Sequence, residues 1–107
     1  MAYTTRVAWE TLRSVDAATL AGAYVVIGTA LTEAAYKIKL VNNSNVLITI
    51  SIDGVTDIDV APANSFWLYD EMVTQNHEGL PDRTQFYIKG SAGVGLIYLA
   101  VQYLRVG

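Results

Sequence analysis

Short apolar segments separated by turn residues follow one another along the whole chain. They are rich in Val, Ile, Tyr and Thr, and short runs of this kind at regular spacing are typical of a β-sandwich or barrel. We predict about eight strands, over residues 12–15, 23–28, 35–42, 46–52, 55–60, 65–70, 84–89 and 94–104. The pattern therefore predicts one all-β domain over 1–107, an antiparallel and jelly-roll-like β-sandwich.

The segment "AYKIKLVN" gives the clearest strand pattern. Tyr36, Ile38 and Leu40 would share one face of the strand, and Lys37 and Lys39 would share the other. This period of two is expected of a strand that has the core on one side and water on the other.

The segment "NVLITISIDGVTDIDV", residues 45–60, predicts a β-hairpin around Asp53 and Gly54. A two-residue loop would place Ile50 opposite Asp57 and put a carboxylate on the apolar face. A three-residue loop beginning at Ile52, with Gly54 in the left-handed conformation, avoids this. That register pairs Ile48 with Ile58 and Val46 with Val60, and leaves Thr49, Ser51, Asp57 and Asp59 on the wet face.

The spacing of Asp53, Asp57 and Asp59 raises the question of a bound cation. A calcium ion needs about six to eight oxygen ligands that converge from a curved backbone. In the predicted hairpin two of these carboxylates lie on a strand and the third lies in the turn. We therefore predict a hairpin without a metal ion, and no cofactor.

The last predicted strand, "VGLIYLAVQYLRV", is apolar on both faces, and "AYVVIG" shows the same character. Such a strand lies in the centre of a sandwich or in a subunit interface. An exposed two-faced strand would be prone to aggregation. We expect a homo-oligomer, with the alternative that both strands are central in a two-layer core.

Aromatic residues are the main candidates for contacts with other molecules. In "NSFWLYD", Phe66 and Leu68 share one face of a strand and Trp67 and Tyr69 share the other, so one pair faces away from the core. A sugar site and a subunit interface both fit this pattern, and we favour the interface because paired Trp and Tyr are common there. The interface candidates are Trp9, Trp67, Tyr69, Tyr98, Tyr103, His77 and Arg83.

Two segments lie outside the strand pattern. Residues 1–11 predict a short helix or a flexible arm, and an arm that carries Trp9 could reach a neighbouring subunit. Residues 71–84 form the longest polar connection and include His77 and Arg83. A loop of this length is either a binding loop or a solvated crossover.

Composition argues against several classes of function. The 107 residues carry a net charge of -3 and no Lys/Arg cluster, so we expect no direct binding to nucleic acid. No apolar run is long enough to span a bilayer, and the N-terminus lacks the apolar stretch of a signal peptide. We expect a soluble protein made in the cytoplasm, with no membrane partner.

The residue types needed for catalysis are scarce. With no cysteine and one histidine, His77, the chain lacks the ligands of a zinc site. The glycines of "KGSAGVGL" join two predicted strands and do not open a helix, so they do not form a phosphate loop. No spacing selects a pair of catalytic carboxylates. We predict that the protein is not an enzyme.

The stretch "KIKLVNNSNVLITISIDGVTDIDVAPANSFWLYDE" resembles small structural proteins of tailed bacteriophage particles. The likeness lies in a strand ending in "VNN", an "ISIDG" hairpin and a "PANS" turn that leads to an aromatic strand. It continues more loosely in "LPDRTQFYIKG" and "GLIYLAVQYL". The resemblance implies a β-sandwich protein of the virion, a decoration or minor head or tail protein, and it implies no catalytic residue.

By this resemblance, repeated copies would bind or stabilise the head shell or the head-tail region, with the major capsid or tail protein as partner. A minor tail or fibre-anchoring component could share the same sandwich. The alternative outside this class is a carbohydrate-binding module for host attachment, acting through Trp67 and Tyr69.

Overall fold

The computed structural model describes residues 5–32, 35–70 and 83–106. Nine strands occur there, which confirms the all-β prediction. They are β1 (Thr5–Trp9), β2 (Arg13–Asp16), β3 (Val25–Val26), β4 (Ala35–Ser44), β5 (Ile48–Ser51), β6 (Asp59–Ala61), β7 (Ser65–Asp70), β8 (Tyr87–Lys89) and β9 (Gly95–Val106). A 3₁₀ turn at Ala17–Thr19 is the single helical element of the described ranges, and no helix in them could cross a membrane.

Two antiparallel sheets pack face to face. The five-stranded sheet has the order β1-β9-β4-β7, with β2 also paired to β9, and the four-stranded sheet has the order β3-β8-β5-β6. If β1 and β2 are treated as one interrupted strand, the two sheets contain four strands each, in the order of a jelly roll. The predicted architecture is therefore confirmed.

The N-terminal prediction of a helix or arm is wrong for the residues described. Strand β1 pairs with β9 from Thr5 opposite Val106 to Trp9 opposite Gln102. Strand β2 continues along the same neighbour, with Arg13 opposite Leu99. From Trp9 to Arg13 the edge strand advances by four residues, whereas β9 advances by three from Gln102 to Leu99. The one extra residue forms a β-bulge between β1 and β2. The apolar run of Val7, Ala8 and Trp9 is too short to predict this strand.

The core lies between the inner faces of the two sheets. Strands β4 and β9 lie side by side and contribute Ile38, Leu40, Leu99 and Val101, all essentially inaccessible to solvent. Full burial of such a side chain is worth about 1.5–3 kcal/mol. Among the described residues the core cluster is Ala17, Leu20, Ile27, Leu31, Ile38, Leu40, Ile48, Ile50, Ala61, Phe86, Ile88, Ile97, Leu99 and Val101.

A buried amide joins the two sheets. The Nδ2 group of Asn42 lies 2.8 Å from the carbonyl oxygen of Val46, 2.9 Å from that of Ala61 and 3.0 Å from that of Pro62. The hydroxyl of Ser44 donates to its Oδ1 atom at 2.5 Å. These bonds join the "VNN" and "PANS" segments. A buried amide needs acceptors for its N–H groups, and the carbonyl oxygens of Ala61 and Pro62 supply them.

The predicted hairpin register is wrong. Ile48 pairs with Ala61 and Ile50 pairs with Asp59, so the connection between β5 and β6 is much longer than three residues. Gly54 does take a positive φ of 79°, as expected, but within this longer loop. As a result Ile58 is exposed and does not join the inner face.

Local polar contacts explain the longer loop. The Ser51 side chain is buried, and its hydroxyl oxygen accepts from the backbone N–H groups of Asp53 at 3.2 Å and Gly54 at 3.0 Å. These bonds begin the turn one residue earlier than the hydrophobic pattern indicates. Side chain-to-backbone bonds of this kind compete with the strand ladder, so β5 ends at Ser51.

Candidate functional site

The outward-facing side of the five-stranded sheet carries an unusual amount of exposed apolar surface. The register places Tyr98, Val41 and Phe66 in one row across β9, β4 and β7. Phe66 is 58% exposed and Leu68, in the next row, is 48% exposed. We call this surface the outer face; it comprises Lys39, Val41, Phe66, Leu68, Leu96, Tyr98 and Ala100.

One cation lies within the outer face. Lys39 stands between Ala100 and Leu68 in the ladder, and its Nζ atom lies 5.6 Å from the centre of the Phe66 ring. A depression of about 240 Å³ adjoins Lys39, Val41 and Phe66. The surface therefore combines apolar contact area with the positive charge of Lys39 near its middle.

Trp9 extends the outer face at the β1 edge of the sheet. It pairs with Gln102, which follows Tyr98 and Ala100 on the outward side of β9, and its side chain is 61% exposed. Tyr98 is half-buried on the same side. The structure thus brings two of the predicted interface residues, Trp9 and Tyr98, onto one surface.

Trp67 and Tyr69 point the other way. Trp67 packs against Phe86 with ring centroids 6.2 Å apart, and its Nε1 group donates to Asp59 at 2.6 Å. Tyr69 also packs against the core cluster. Of the two pairs on β7, the one that faces solvent is Phe66 and Leu68, so the strand does not present Trp67 and Tyr69 together as an open sugar platform.

Tyr103 lines a cavity of about 480 Å³ beside the bulge between β1 and β2. A buried ion pair lies in its wall, with Arg13 Nη2 2.6 Å from Glu10 Oε1. Arg13 also donates from Nε to the carbonyl oxygen of Thr29 at 2.7 Å, and Glu10 Oε2 accepts from the backbone of Thr32 at 3.1 Å. These contacts make the pair a structural clamp on the bulge.

Close packing around Arg13 explains a glycine in the same wall. Gly28 has a φ of 71°, and a Cβ atom there would lie 2.5 Å from the Cγ atom of Arg13. The sequence did not predict the roles of Glu10 and Arg13. The spacing of two opposite charges near the N-terminus does not show whether they are exposed to water or buried in the sandwich.

The three carboxylates of the hairpin do not converge. Asp53 accepts from the backbone N–H groups of Val55 at 2.8 Å and Thr56 at 2.7 Å, and from the Ser51 hydroxyl at 2.8 Å. These bonds, led by those of Thr56 and Val55, hold the pKa of the Asp53 carboxyl well below its usual range. Asp53 therefore locks the turn, and the described ranges contain no group of three potential metal ligands.

Asp57 belongs to a different cluster. It accepts from the Tyr24 hydroxyl and lies 3.3 Å from Lys89 Nζ, and these two partners lower its pKa. Burial, followed by the bond to Asp57, raises the pKa of Tyr24 to about 12. Lys89 Nζ also lies 4.7 Å from the centre of the Tyr24 ring. This cluster ties the loop after β5 to β8 and the segment before β3.

The remaining candidates are His77 and Arg83. His77 and most of the predicted binding loop, 71–82, lie outside the described residues. Arg83 is exposed, and its backbone N–H donates to the carbonyl oxygen of Leu31 at 2.7 Å. It does not join the outer face. Throughout the part of the chain that is described, every buried side-chain nitrogen or oxygen has a hydrogen-bond partner.

Protein-family models, curated proteins and solved structures were all compared with this chain, and none of them matches it.

Proposed function

We propose that this chain is a structural protein that assembles in repeated copies through the outer face of its five-stranded sheet. The observation that carries the proposal is the exposure of Phe66 and Leu68 beside Tyr98 on a sheet whose other face is closed by the core. Contiguous apolar surface of this kind marks interaction sites in soluble proteins.

The composition of the outer face supports a protein partner. Aromatic residues are enriched at the centres of protein interfaces, and charged residues are depleted there. Phe66 and Tyr98 lie in one row, with Lys39 as the charged residue in the next. A regular sheet needs little reordering on contact, so the entropic cost of binding through it is small.

The resemblance to structural proteins of tailed bacteriophages supports a place in the virion. The segment that carries it, residues 37–71, includes most of β4 and all of β7, which supply four of the seven residues of the outer face. In this proposal repeated copies bind or stabilise the head shell or the head-tail region of the particle. The jelly roll is compatible with this role but does not select it, since one fold serves many functions.

The test is the mass of the purified protein in solution, measured by light scattering over a wide range of concentrations. We expect a stable oligomer for the natural chain and a monomer for Leu68→Glu, because the substitution places a carboxylate in the proposed contact. Val94→Glu is the matched control, since Val94 is 75% exposed in the turn before β9.

Circular dichroism should show the same β content for both variants. A monomeric natural chain at every concentration, or an unchanged mass for Leu68→Glu, would overturn the proposal.

A further inference from the structure

A second exposed apolar surface lies on the loop between β5 and β6. Val55 is 81% exposed, and Ile52 and Ile58 are each more than two-fifths exposed. Asp53 and Asp57 lie among them on the same loop. We call residues 52–58 the acidic loop. It combines aliphatic contact area with negative charge, whereas the outer face combines apolar area with the positive charge of Lys39.

We propose that the acidic loop of one copy docks onto the outer face of a second copy. This inference rests on the proposed function and names the partner surface that it requires. The contact is head-to-tail, so each copy uses two different surfaces.

Hydrogen bonds and an ion pair fix the conformation of the acidic loop in the single chain. The carboxylate of Asp53 accepts two backbone N–H groups and the Ser51 hydroxyl, and Asp57 is held by Tyr24 and Lys89. The backbone that presents Val55 to solvent is therefore already ordered. A loop with a fixed shape loses less conformational entropy on binding than a mobile one.

Charge favours this pairing over the contact of two outer faces. Such a symmetric contact would bring two copies of Lys39 into the same apolar interface, where like charges destabilise association. At the margins of the face lie Lys37, paired in the ladder with Asp70, and Asp16, paired with Leu96. Lys39 is the charged residue between the apolar positions Ala100 and Leu68, so it is the charge that a partner must match.

A head-to-tail contact leaves one free loop and one free outer face at the ends of every dimer. Repetition of the contact closes a ring when the rotation between copies divides a full turn, and otherwise builds a filament. Repeated copies around a symmetry axis are what the proposed virion role requires.

The test uses two variants that each damage one surface. Val55→Lys alters the acidic loop and keeps the outer face, whereas Leu68→Glu alters the outer face and keeps the loop. We expect each variant alone to associate about a hundredfold more weakly than the natural chain, as for a central interface position. Mixed in equal amounts they should form a dimer, because one intact surface of each kind remains.

The control pair is Val94→Lys and Val94→Glu, which should both keep the natural mass. If Val55→Lys keeps the natural mass while Leu68→Glu is monomeric, the outer faces pair with each other; the head-to-tail inference then fails and the proposed function survives. A mixture that stays monomeric also overturns the inference. A natural chain that is monomeric at all concentrations overturns both.

Discussion

Arg13 is a long cationic side chain held inside a small sandwich, where a charge is stable only with complete pairing. Glu10 supplies the opposite charge at 2.6 Å, and the carbonyl oxygens of Thr29 and Ala30 accept further bonds. The bulge between β1 and β2 makes this arrangement possible, because the extra residue turns Arg13 inward while Trp9 stays on the outward side. A single residue thus links the edge strand to the 28–30 segment.

Removal of Arg13 should be costly. The change Arg13→Ala leaves the carboxylate of Glu10 buried without its cation, so we expect a loss of about 3–5 kcal/mol in the free energy of unfolding. Replacing both charges, with Arg13→Met and Glu10→Gln together, should cost less, because no unpaired charge remains. Urea denaturation of the three proteins measures the difference. A loss below about 1 kcal/mol for Arg13→Ala would contradict the role of the pair as a clamp.

The lowered pKa of Asp53 makes the free energy of unfolding depend on pH in the acidic range. Its carboxylate is stabilised by backbone N–H donors, so its pKa in the folded chain lies below the usual range. In the unfolded chain an aspartate takes up its proton near about pH 4. As the pH falls below that value the unfolded state binds more protons than the folded state, and the free energy of unfolding decreases.

We therefore expect acid to destabilise the natural chain more than the variant Asp53→Asn, which keeps an oxygen acceptor but does not titrate. The measurement is urea denaturation at a series of pH values from about 6 down to about 2, a range that spans the titration of carboxylates. The natural chain should show the steeper fall below pH ~4. Parallel curves for the two proteins would contradict the prediction.

Among the elements, β9 decides the shape of the sheet. It pairs with β1 and β2 on one side and with β4 on the other, and each side contains a bulge near the level of Gln102. Its inner residues, such as Leu99, enter the core, and its outer residues, such as Tyr98, lie on the outer face. β9 is therefore central in the sheet, and no element of the described ranges packs over its outward face.

The pairing of β1 with β9 predicts the effect of an N-terminal truncation. Deletion of residues 2–8 removes most of β1 and leaves the backbone of β9 between Tyr103 and Val106 without its partner strand. We expect the melting temperature to fall by more than about 5 °C, and aggregation to increase, because an unpaired edge templates further pairing. Glu10 and Arg13 remain in this variant.

Thermal melting and light scattering measure the two effects of the truncation. An unchanged melting temperature together with full solubility would mean that the N-terminal segment acts as a detachable arm, as the sequence alone indicated.

At the scale of the whole molecule, the described ranges form a closed core and present two unlike apolar surfaces. The hydrophobic content of 52%, with 16% charged residues, is high for 107 residues, and the outer face and the acidic loop account for part of the excess. The two surfaces differ in charge, which allows one kind of subunit to form an ordered and repeating contact. In the proposed virion role, this repeating contact joins the copies of the chain.

The sequence by itself determined the fold class and many of the strands. The period of two in β4 and the two-faced pattern of β9 survive in the structure, because alternation of side chains is a local property of extended backbone. The pattern of β9 identified Tyr98, and Trp9 was predicted as a contact residue on an N-terminal arm; both lie on or beside the outer face. The sequence patterns also paired Phe66 with Leu68 and Trp67 with Tyr69 correctly.

Only the tertiary structure decided which pair of β7 faces the core, where β5 and β6 meet, and that Arg13 is buried. Periodicity states that two faces differ, but the neighbour that covers a face comes from distant parts of the chain; Trp67 turns inward because Phe86 and Asp59 lie there. The hairpin register likewise depended on the buried Ser51 hydroxyl, whose bonds to the turn outweigh the hydrophobic pattern. Long-range packing therefore decided the inward face of β7 and the burial of Arg13, whereas the hairpin register followed from local hydrogen bonds that the hydrophobic pattern does not show.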